Sequence, residues 1–261
     1  MPVCLTIAGL DPSGGAGLLA DIKTFSAFGC FGAAAVTSIT FQNTTGVFGA
    51  EHVSADNLRR QLEPIFDDYE VASVKTGMLP TIEIIEVVAE FVTARKPEFF
   101  VVDPVVRSTS GHDLIEDDAL AVLCEKLFPI ATVVTPNLPE AERISGLGIN
   151  NAKGASVAAR SMQQMGARAV LIKGGHRADK RAIDALYRGD DVKQFESEFI
   201  DTTSTHGTGC TLASAIAANL ALGNELSEAI RIAKDFVTDA IRNAPGVGRG
   251  QGPVDHLVRN E

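Results

Sequence analysis

The 261-residue chain predicts an α/β fold with a mostly parallel central sheet, helices on both faces and an antiparallel hairpin near the C-terminus. Over most of the chain, short apolar segments alternate with longer helical patterns, which is the order of β-α-β units with right-handed crossovers. Two further strand-like segments, 182–188 and 192–200, are joined by Gly189-Asp190-Asp191. That spacing is typical of an antiparallel hairpin.

The remaining elements follow from the same patterns, in chain order. Strands are expected at 3–9, 32–41, 71–75, 99–103, 131–135 and 168–173. Helices are expected at 15–28, 54–69, 81–93, 117–127, from about 139, at 152–165, 208–222 and 226–243. Ser54 is an expected N-cap, Pro64 is expected to bend its helix, and Gly166 is expected to end the helix before it. Because no linker, low-complexity segment or internal repeat interrupts this order, residues 1–261 are predicted to form a single domain.

Composition excludes several classes of function. The formal net charge of −10 argues against nucleic-acid binding, which needs a basic face. None of the four cysteines forms a CxxC pair, so neither a zinc site nor a disulfide framework is expected. Reduced thiols are typical of cytoplasmic proteins, and we expect that location here. The N-terminus has no basic start, and no segment approaches the roughly 18 apolar residues of a membrane span. We therefore expect no membrane association.

Ligands of parallel sheets bind beyond the carboxyl ends of the strands, and a glycine-rich turn at 9–17 follows the first strand. Residues 15–20 fit the dinucleotide pattern G-x-G-x-x-A, but no acidic residue ends the second strand and the Walker A pattern is missing. The turn is therefore a substrate-binding turn, a tight packing turn or, least favoured, a dinucleotide site. Asp21 follows within the helix, where it would complement the helix dipole or accept a hydrogen bond from a substrate amine.

A second glycine-rich turn, 205–210, precedes a helix that is apolar nearly all round. Backbone N–H groups at Gly207, Thr208 and Gly209, together with the helix dipole, predict an anion hole suited to a phosphoryl group. Cys210 lies in the first helical turn, where the pKa of its thiol is expected to fall and where it could take a proton from an attacking hydroxyl. A buried structural cysteine is the alternative, and His206 alone is more typical of a capping or packing residue than of a base.

Seven sequence blocks in order resemble the hydroxymethylpyrimidine/phosphomethylpyrimidine kinases of thiamin biosynthesis, within the ribokinase-like superfamily. The resemblance covers nearly the whole chain, and most relatives in the superfamily have Asp where this chain has Cys210. The blocks are 6–9 with 11–17, 20–24, 42–44, 75–79, 102–105, 135–141 and 172–176, followed by the turn Thr205-His206-Gly207-Thr208-Gly209-Cys210. The resemblance implies a ribokinase-like fold and a kinase that uses ATP and Mg²⁺.

The resemblance also implies a role for individual residues. The pyrimidine would be bound by Gln42, Asp21, Gly9, Met78 and Val105. The amide of Gln42 would hold the ring nitrogen and the exocyclic amine, since an amide both donates and accepts. Without the resemblance, each of these residues has an ordinary structural reading as a strand end or as core.

On the phosphate side, Asp103 and Glu140 would organise Mg²⁺, partly through water. Glu140 has an alternative role with Asn137 in starting a helix. Lys173 and Thr208 would face the ATP phosphates, and the adenine would lie near Lys234 and Val237. Two positions depart from the usual pattern of the family, Leu10 and Ser204, which would alter polar contacts in the first turn and beside the second.

These expectations combine into one function. The chain would phosphorylate 4-amino-5-hydroxymethyl-2-methylpyrimidine and then its monophosphate, and relatives imply a homodimer. A pyridoxal kinase with the same machinery is the nearest alternative, and Gln42 together with Met78 favours the pyrimidine. A nicotinamide oxidoreductase and a non-catalytic ligand sensor are more distant alternatives.

Overall fold

The computed structural model describes residues 1–107, 111, 113–176 and 181–258. Within these residues nine strands form one sheet, in the order β3-β2-β1-β4-β5-β6-β7-β8-β9. The strands are β1 Val3–Leu10, β2 Phe31–Asn43, β3 Gly46–His52, β4 Val71–Thr76, β5 Phe99–Val102, β6 Val133–Val134, β7 Val170–His176, β8 Arg181–Arg188 and β9 Asp191–Glu198. The six adjacent strands β2-β1-β4-β5-β6-β7 pair in parallel, and the pairs β2–β3, β7–β8 and β8–β9 are antiparallel. The predicted fold class, including the hairpin near the C-terminus, is confirmed.

The helices occupy the segments predicted for them, within a few residues at each end. They are α1 Gly17–Ala27, α2 Ala55–Asp68, α3 Ile82–Arg95, α4 Asp117–Leu127, α5 Leu138–Ser145, α6 Ala152–Gln164, α7 Thr208–Ala221 and α8 Leu226–Arg242. The Ser54 hydroxyl accepts a hydrogen bond from the Asn57 N–H at 3.1 Å, which confirms the predicted N-cap. Pro64 lies inside α2, and Gly166 follows α6 with φ of 109°.

Strand β3 was not predicted, and β2 is three residues longer than expected. The two strands are joined by a tight turn, in which the side-chain oxygen of Asn43 accepts hydrogen bonds from the N–H and the hydroxyl of Thr45. β3 is an edge strand with half-exposed residues and two glycines, and it lacks the continuous apolar run that indicates a buried strand. The structure therefore has antiparallel strands at both edges of the sheet.

The sheet separates two apolar layers. The larger core lies among α2 to α6 and includes Leu5, Ile7 and Phe100, whereas the second core packs α1, α7 and α8 on the other face. Helix α7 is buried over ten consecutive residues, from Thr211 to Leu220. This burial holds the start of α7 beside the carboxyl ends of the central strands. None of the helices that the structure describes combines the length and the apolar composition needed to cross a bilayer.

Candidate active site

A cavity of about 1110 Å³ lies at the carboxyl ends of the parallel strands, where the fold class predicts a ligand site. Its walls bring together residues that are far apart in the sequence. Of the residues singled out from the sequence, the cavity is lined by Gly9, Gln42, Met78, Asp103, Val105, Glu140, Lys173, Gly207, Thr208, Gly209, Cys210, Lys234 and Val237. Asp21 is not among the lining residues.

The start of α7 forms one wall of this cavity. Gly207 has φ of 82°, and a Cβ there would overlap the carbonyl of Gly15, so glycine is required for the two glycine-rich turns to meet. The first helical hydrogen bond runs from the Thr211 N–H to the Gly207 carbonyl at 2.9 Å. The N–H groups of Gly209 and Cys210 precede that bond and have no acceptor within the helix. They remain available to an anion, whereas the Thr208 N–H, also expected in the anion hole, donates to the Thr205 carbonyl at 3.3 Å.

The thiol of Cys210 is half-buried at this helix start. Burial raises the pKa of Cys210 to about 11, although the Lys75 ammonium and the Gly17 N–H favour the thiolate. The expectation that the pKa falls is therefore wrong for the free protein. The N-terminus of a helix lowers a thiol pKa only where desolvation does not exceed that effect, and here the Asp21 and Asp103 carboxylates add to desolvation.

Opposite the helix start, Lys173 lies between two carboxylates. Its Nζ is 2.8 Å from Asp103 Oδ1 and 3.9 Å from Glu140 Oε2. Burial alone would raise the pKa of Asp103, but the ammonium groups of Lys173 and Lys75 lower it. Burial raises the pKa of Glu140 to about 7, against the influence of Lys173. At neutral pH the ionised Asp103 is therefore the main counter-charge of the Lys173 ammonium, and Glu140 is only partly ionised.

The donor chemistry of Asp103 and Glu140 fits Mg²⁺, which prefers oxygen ligands and retains water. Asp103 Oδ1 already accepts from Thr135 and Lys173, and Glu140 Oε2 accepts from the Asn137 N–H at 2.8 Å. The bond from the Asn137 N–H to Glu140 is part of a capping box, so the alternative role of Glu140 in starting α5 is real. With these oxygens in use, contact through water fits the two residues better than direct coordination.

Asp21 corrects one prediction. Its carboxylate is fully buried below the cavity, where Lys75 Nζ lies 2.9 Å from both oxygens. Thr6 and Ser214 each donate a hydrogen bond to it at 2.6 Å. The amine that Asp21 accepts from is therefore a side chain of the protein and not a substrate. Asp21 ties α1 to β1, β4 and α7, and Ser214 lies one turn after Cys210.

Lys234 and Val237 lie on α8 at the other end of the cavity. The Lys234 ammonium is 2.7 Å from Asp184 Oδ2, and the other oxygen of Asp184 accepts from the Gly174 N–H. This pair braces α8 against the strands β7 and β8. Lys234 thus contributes mainly its aliphatic stem to the wall of the cavity.

Sequence reasoning missed Asp11 as a site residue. Its carboxylate accepts hydrogen bonds from the Ala16 N–H, from Ser13 and from His206 Nε2, the last at 2.8 Å. Burial opposes ionisation, but the His206 and Ser13 hydrogen bonds lower the pKa of Asp11. The pair joins the two glycine-rich turns. No local sequence pattern predicts this pair, because Asp11 and His206 are 195 residues apart.

Known proteins resemble this chain over nearly its whole length. Residues 11–255 match the family model described as phosphomethylpyrimidine kinase. The hydroxymethylpyrimidine/phosphomethylpyrimidine kinase of Bacillus subtilis is 41% identical over 255 residues, covering 97% of this chain and 94% of that protein. The thiamine biosynthesis bifunctional protein ThiED of Geobacter sulfurreducens is 46% identical and covers 98% of this chain, which spans 52% of that protein's length.

A solved structure gives the same result for the fold. The ADP complex of Bacillus subtilis pyridoxal kinase superposes with a TM-score of 0.91 at 39% identity, covering 98% of this chain and 97% of that one. The fold is therefore ribokinase-like, as expected, and kinase chemistry is selected over the dinucleotide and sensor alternatives. On the match over residues 11–255 and the identities above, the chain belongs to the phosphomethylpyrimidine kinase family.

Proposed function

We propose that this chain transfers the γ-phosphoryl group of ATP to 4-amino-5-hydroxymethyl-2-methylpyrimidine and then to the monophosphate formed. The observation that carries the proposal is the shared cavity. The start of α7, which can bind an anion, lies in this cavity together with Lys173, which is placed between two carboxylates, and with the side-chain amide of Gln42. Phosphoryl transfer needs positioning and charge stabilisation more than covalent chemistry, and these groups supply both.

The pyrimidine would lie against β2 and the segment after β4. The side chain of Gln42 offers a donor and an acceptor to an aminopyrimidine edge. Met78 and Val105 provide apolar walls, and Gly9 lets Met78 pack close to β1, since a Cβ there would lie 3.2 Å from Met78 Sδ. The ring substituent that carries the hydroxyl would then point toward the start of α7.

In the first transfer, the hydroxymethyl oxygen attacks the γ-phosphorus, an O–P bond forms, and the bond from that phosphorus to the bridging oxygen breaks, releasing ADP. The N–H groups of Gly209 and Cys210, with Thr208 and the Lys173 ammonium, stabilise the charge on the moving group. The hydroxyl proton goes to Cys210 in its thiolate form, which the pKa of about 11 makes a minor fraction at neutral pH. In the second transfer a phosphate oxygen of the monophosphate attacks, and the same donors serve it.

When bound, Mg²⁺ neutralises charge on the ATP phosphates, and Asp103 and Glu140 would hold it through water. The adenine would lie beside Val237 and the stem of Lys234. Since Lys234 is paired with Asp184, the contact it offers is apolar.

We also propose that the chain is a cytoplasmic homodimer. All four cysteines are free, as expected in a reducing compartment. Ile39, Phe41 and Phe48 are exposed on the strand pair β2–β3 at the edge of the sheet, and exposed apolar groups of this size mark protein contacts. Light scattering of the purified protein tests the dimer, and a monomer at micromolar concentration would contradict it.

An ADP-release assay with the aminopyrimidine, its monophosphate and pyridoxal in parallel tests the substrate. The proposal expects turnover with both pyrimidines and a kcat/KM for pyridoxal lower by about tenfold or more, since Gln42 is matched to an amine. Turnover with pyridoxal and not with the pyrimidines would favour the alternative, a pyridoxal kinase.

A further inference from the structure

Gln42 does not stand alone in the cavity wall. Its Nε2 lies 2.6 Å from the hydroxyl oxygen of Thr40, and that hydroxyl lies 2.8 Å from the carbonyl oxygen of Leu10. Thr40 is 4% exposed, and both Thr40 and Gln42 line the cavity. A partly buried hydrogen-bond chain therefore runs from the end of β1 to the amide of Gln42.

This chain has only one arrangement of protons. The Leu10 carbonyl can only accept, so the single proton of the Thr40 hydroxyl is donated to it. The Thr40 oxygen must then accept from Gln42, and the amide group that faces it has to be the nitrogen. A flipped amide would bring two acceptors together at 2.6 Å. This network fixes the orientation of Gln42, and among the described residues its side-chain oxygen has no hydrogen-bond donor.

The backbone supports the same orientation. The register between β2 and β3 shifts between Phe41 and Gln42, and such a bulge re-aims the side chain that follows it. Leu10 is held in place by pairing with Ile39 on β2 and by a bridge to Gly17. The acceptor at the base of the hydrogen-bond chain is a backbone group, so it does not depend on the unusual side chain at position 10.

We propose that Thr40 is a positioning residue that fixes the Gln42 amide for an aminopyrimidine edge. This inference rests on the proposed function. With one Nε2 proton engaged by Thr40, the amide presents an acceptor to the exocyclic amine and its second N–H to the ring nitrogen. The 4-oxo analogue of the pyrimidine carries the inverse pattern, an acceptor oxygen beside a ring N–H. The orientation that Thr40 imposes would therefore select the amino form against the oxo form.

The test compares kcat/KM for the 4-amino substrate with that for its 4-oxo analogue. Thr40→Val removes the hydroxyl at constant volume and frees the amide to rotate, so the amino-to-oxo ratio is expected to fall by about tenfold or more. Thr40→Ser keeps the hydroxyl and is expected to keep the ratio within about threefold. Thr24→Val removes another buried hydroxyl, which donates to the Ala20 carbonyl in α1, and should leave the ratio as in the wild type.

A general loss of packing would lower both activities together and would not move the ratio. An unchanged ratio in Thr40→Val would overturn the inference, and so would an equal fall in Thr40→Ser. If Thr40→Val does not fold, Thr40→Ala supplies the same comparison.

A second measurement does not depend on the substrate. In an NMR spectrum of the wild type, one side-chain N–H of Gln42, identified with Gln42→Glu, should exchange slowly with solvent, and that protection should disappear in Thr40→Val. Equal exchange in the two proteins would overturn the role of Thr40. If the wild type gave no turnover with the amino substrate while the protection was present, the proposed function would fail and the fixed amide would stand.

Discussion

The ammonium of Lys75 lies 2.9 Å from both carboxylate oxygens of Asp21, and neither side chain is exposed to solvent. Burial alone would lower the pKa of Lys75, but Asp21 raises it, so the ammonium keeps its charge. Thr6 and Ser214 each donate a hydrogen bond to the Asp21 carboxylate, so both of its oxygens have a donor in addition to Lys75. The pair joins β4, the strand before Met78, to α1, whose first residue Gly17 lies beside Cys210.

Breaking this pair should destabilise the fold strongly. In Asp21→Asn the Lys75 ammonium remains buried without its counter-charge, and we expect the free energy of unfolding to fall by about 3–5 kcal/mol. Urea unfolding measures the change. Arg59→Gln, which breaks the exposed pair with Glu90, is the matched control and should change stability little. A loss for Asp21→Asn no larger than that of the control would show that the buried pair does not hold these elements together.

The reactivity of Cys210 should follow its raised pKa. With a pKa of about 11 in the free protein, the thiolate fraction rises about tenfold per pH unit from pH 7 to pH 10. The rate of alkylation by iodoacetamide, followed by mass spectrometry of the Cys210 peptide, should rise in parallel without a plateau. A plateau below pH 9 would mean that Lys75 and the helix start outweigh burial. Cys210→Ser identifies background labelling of the other three cysteines.

The same residue should govern the rate of transfer. Cys210→Ala is expected to lower kcat by about two orders of magnitude if the sulfur accepts the hydroxyl proton. In the wild type, kcat/KM should then rise with pH over the range in which alkylation rises, and the variant should show a flat profile. A loss under tenfold, with the pH profile unchanged, would assign the thiol an orienting role only.

A methyl group at Gly209 should disturb the anion site without unfolding the protein. Its Cβ would lie 3.2 Å from Lys173 Nζ, so the flexible lysine would have to move away from the helix start. We expect Gly209→Ala to lower kcat/KM for ATP by about one to two orders of magnitude, with the melting temperature nearly unchanged. Gly46→Ala places its methyl group in open space and is the control. Equal kinetics in the two variants would remove Gly209 from the phosphate site.

His256 should make stability depend on pH. Burial lowers the pKa of His256 to about 4, and its Nε2 has no hydrogen-bond partner among the described residues. In the unfolded chain this histidine binds a proton near pH 6.5, whereas in the folded protein it does so only near pH 4. The folded state therefore has its full stability above pH 6.5 and loses stability as the pH falls toward 4. The decline amounts to about 3 kcal/mol. Urea unfolding at pH 7.5 and pH 5 should show about 2 kcal/mol of this decline, and His256→Phe should reduce it; an equal decline in that variant would assign the pH dependence to other groups.

The sequence was sufficient where the signal is local. Apolar runs located the buried strands, and the residues that follow them, such as Asp103 and Lys173, met in one cavity because the ends of parallel strands share an edge. Strand β3 was missed because an edge strand with glycines and exposed side chains carries little apolar periodicity.

The sequence was insufficient where a role depends on burial or on distant partners. Asp21 has the spacing of a residue near a helix start, yet Lys75, 54 residues away, engages its carboxylate. The pKa of Cys210 depends on desolvation, which no local motif encodes. The same applies to Thr40, whose importance arises from a carbonyl on another strand.

The most direct test of the central claim is a ³¹P NMR time course of the wild-type protein with ATP, Mg²⁺ and 4-amino-5-hydroxymethyl-2-methylpyrimidine. We expect a phosphomonoester signal of the pyrimidine to appear first and the two coupled signals of its diphosphate to follow, with ADP accumulating in step. ADP accompanied only by inorganic phosphate, or no phosphorus signal on the pyrimidine, would contradict the proposal that this cavity carries out both transfers.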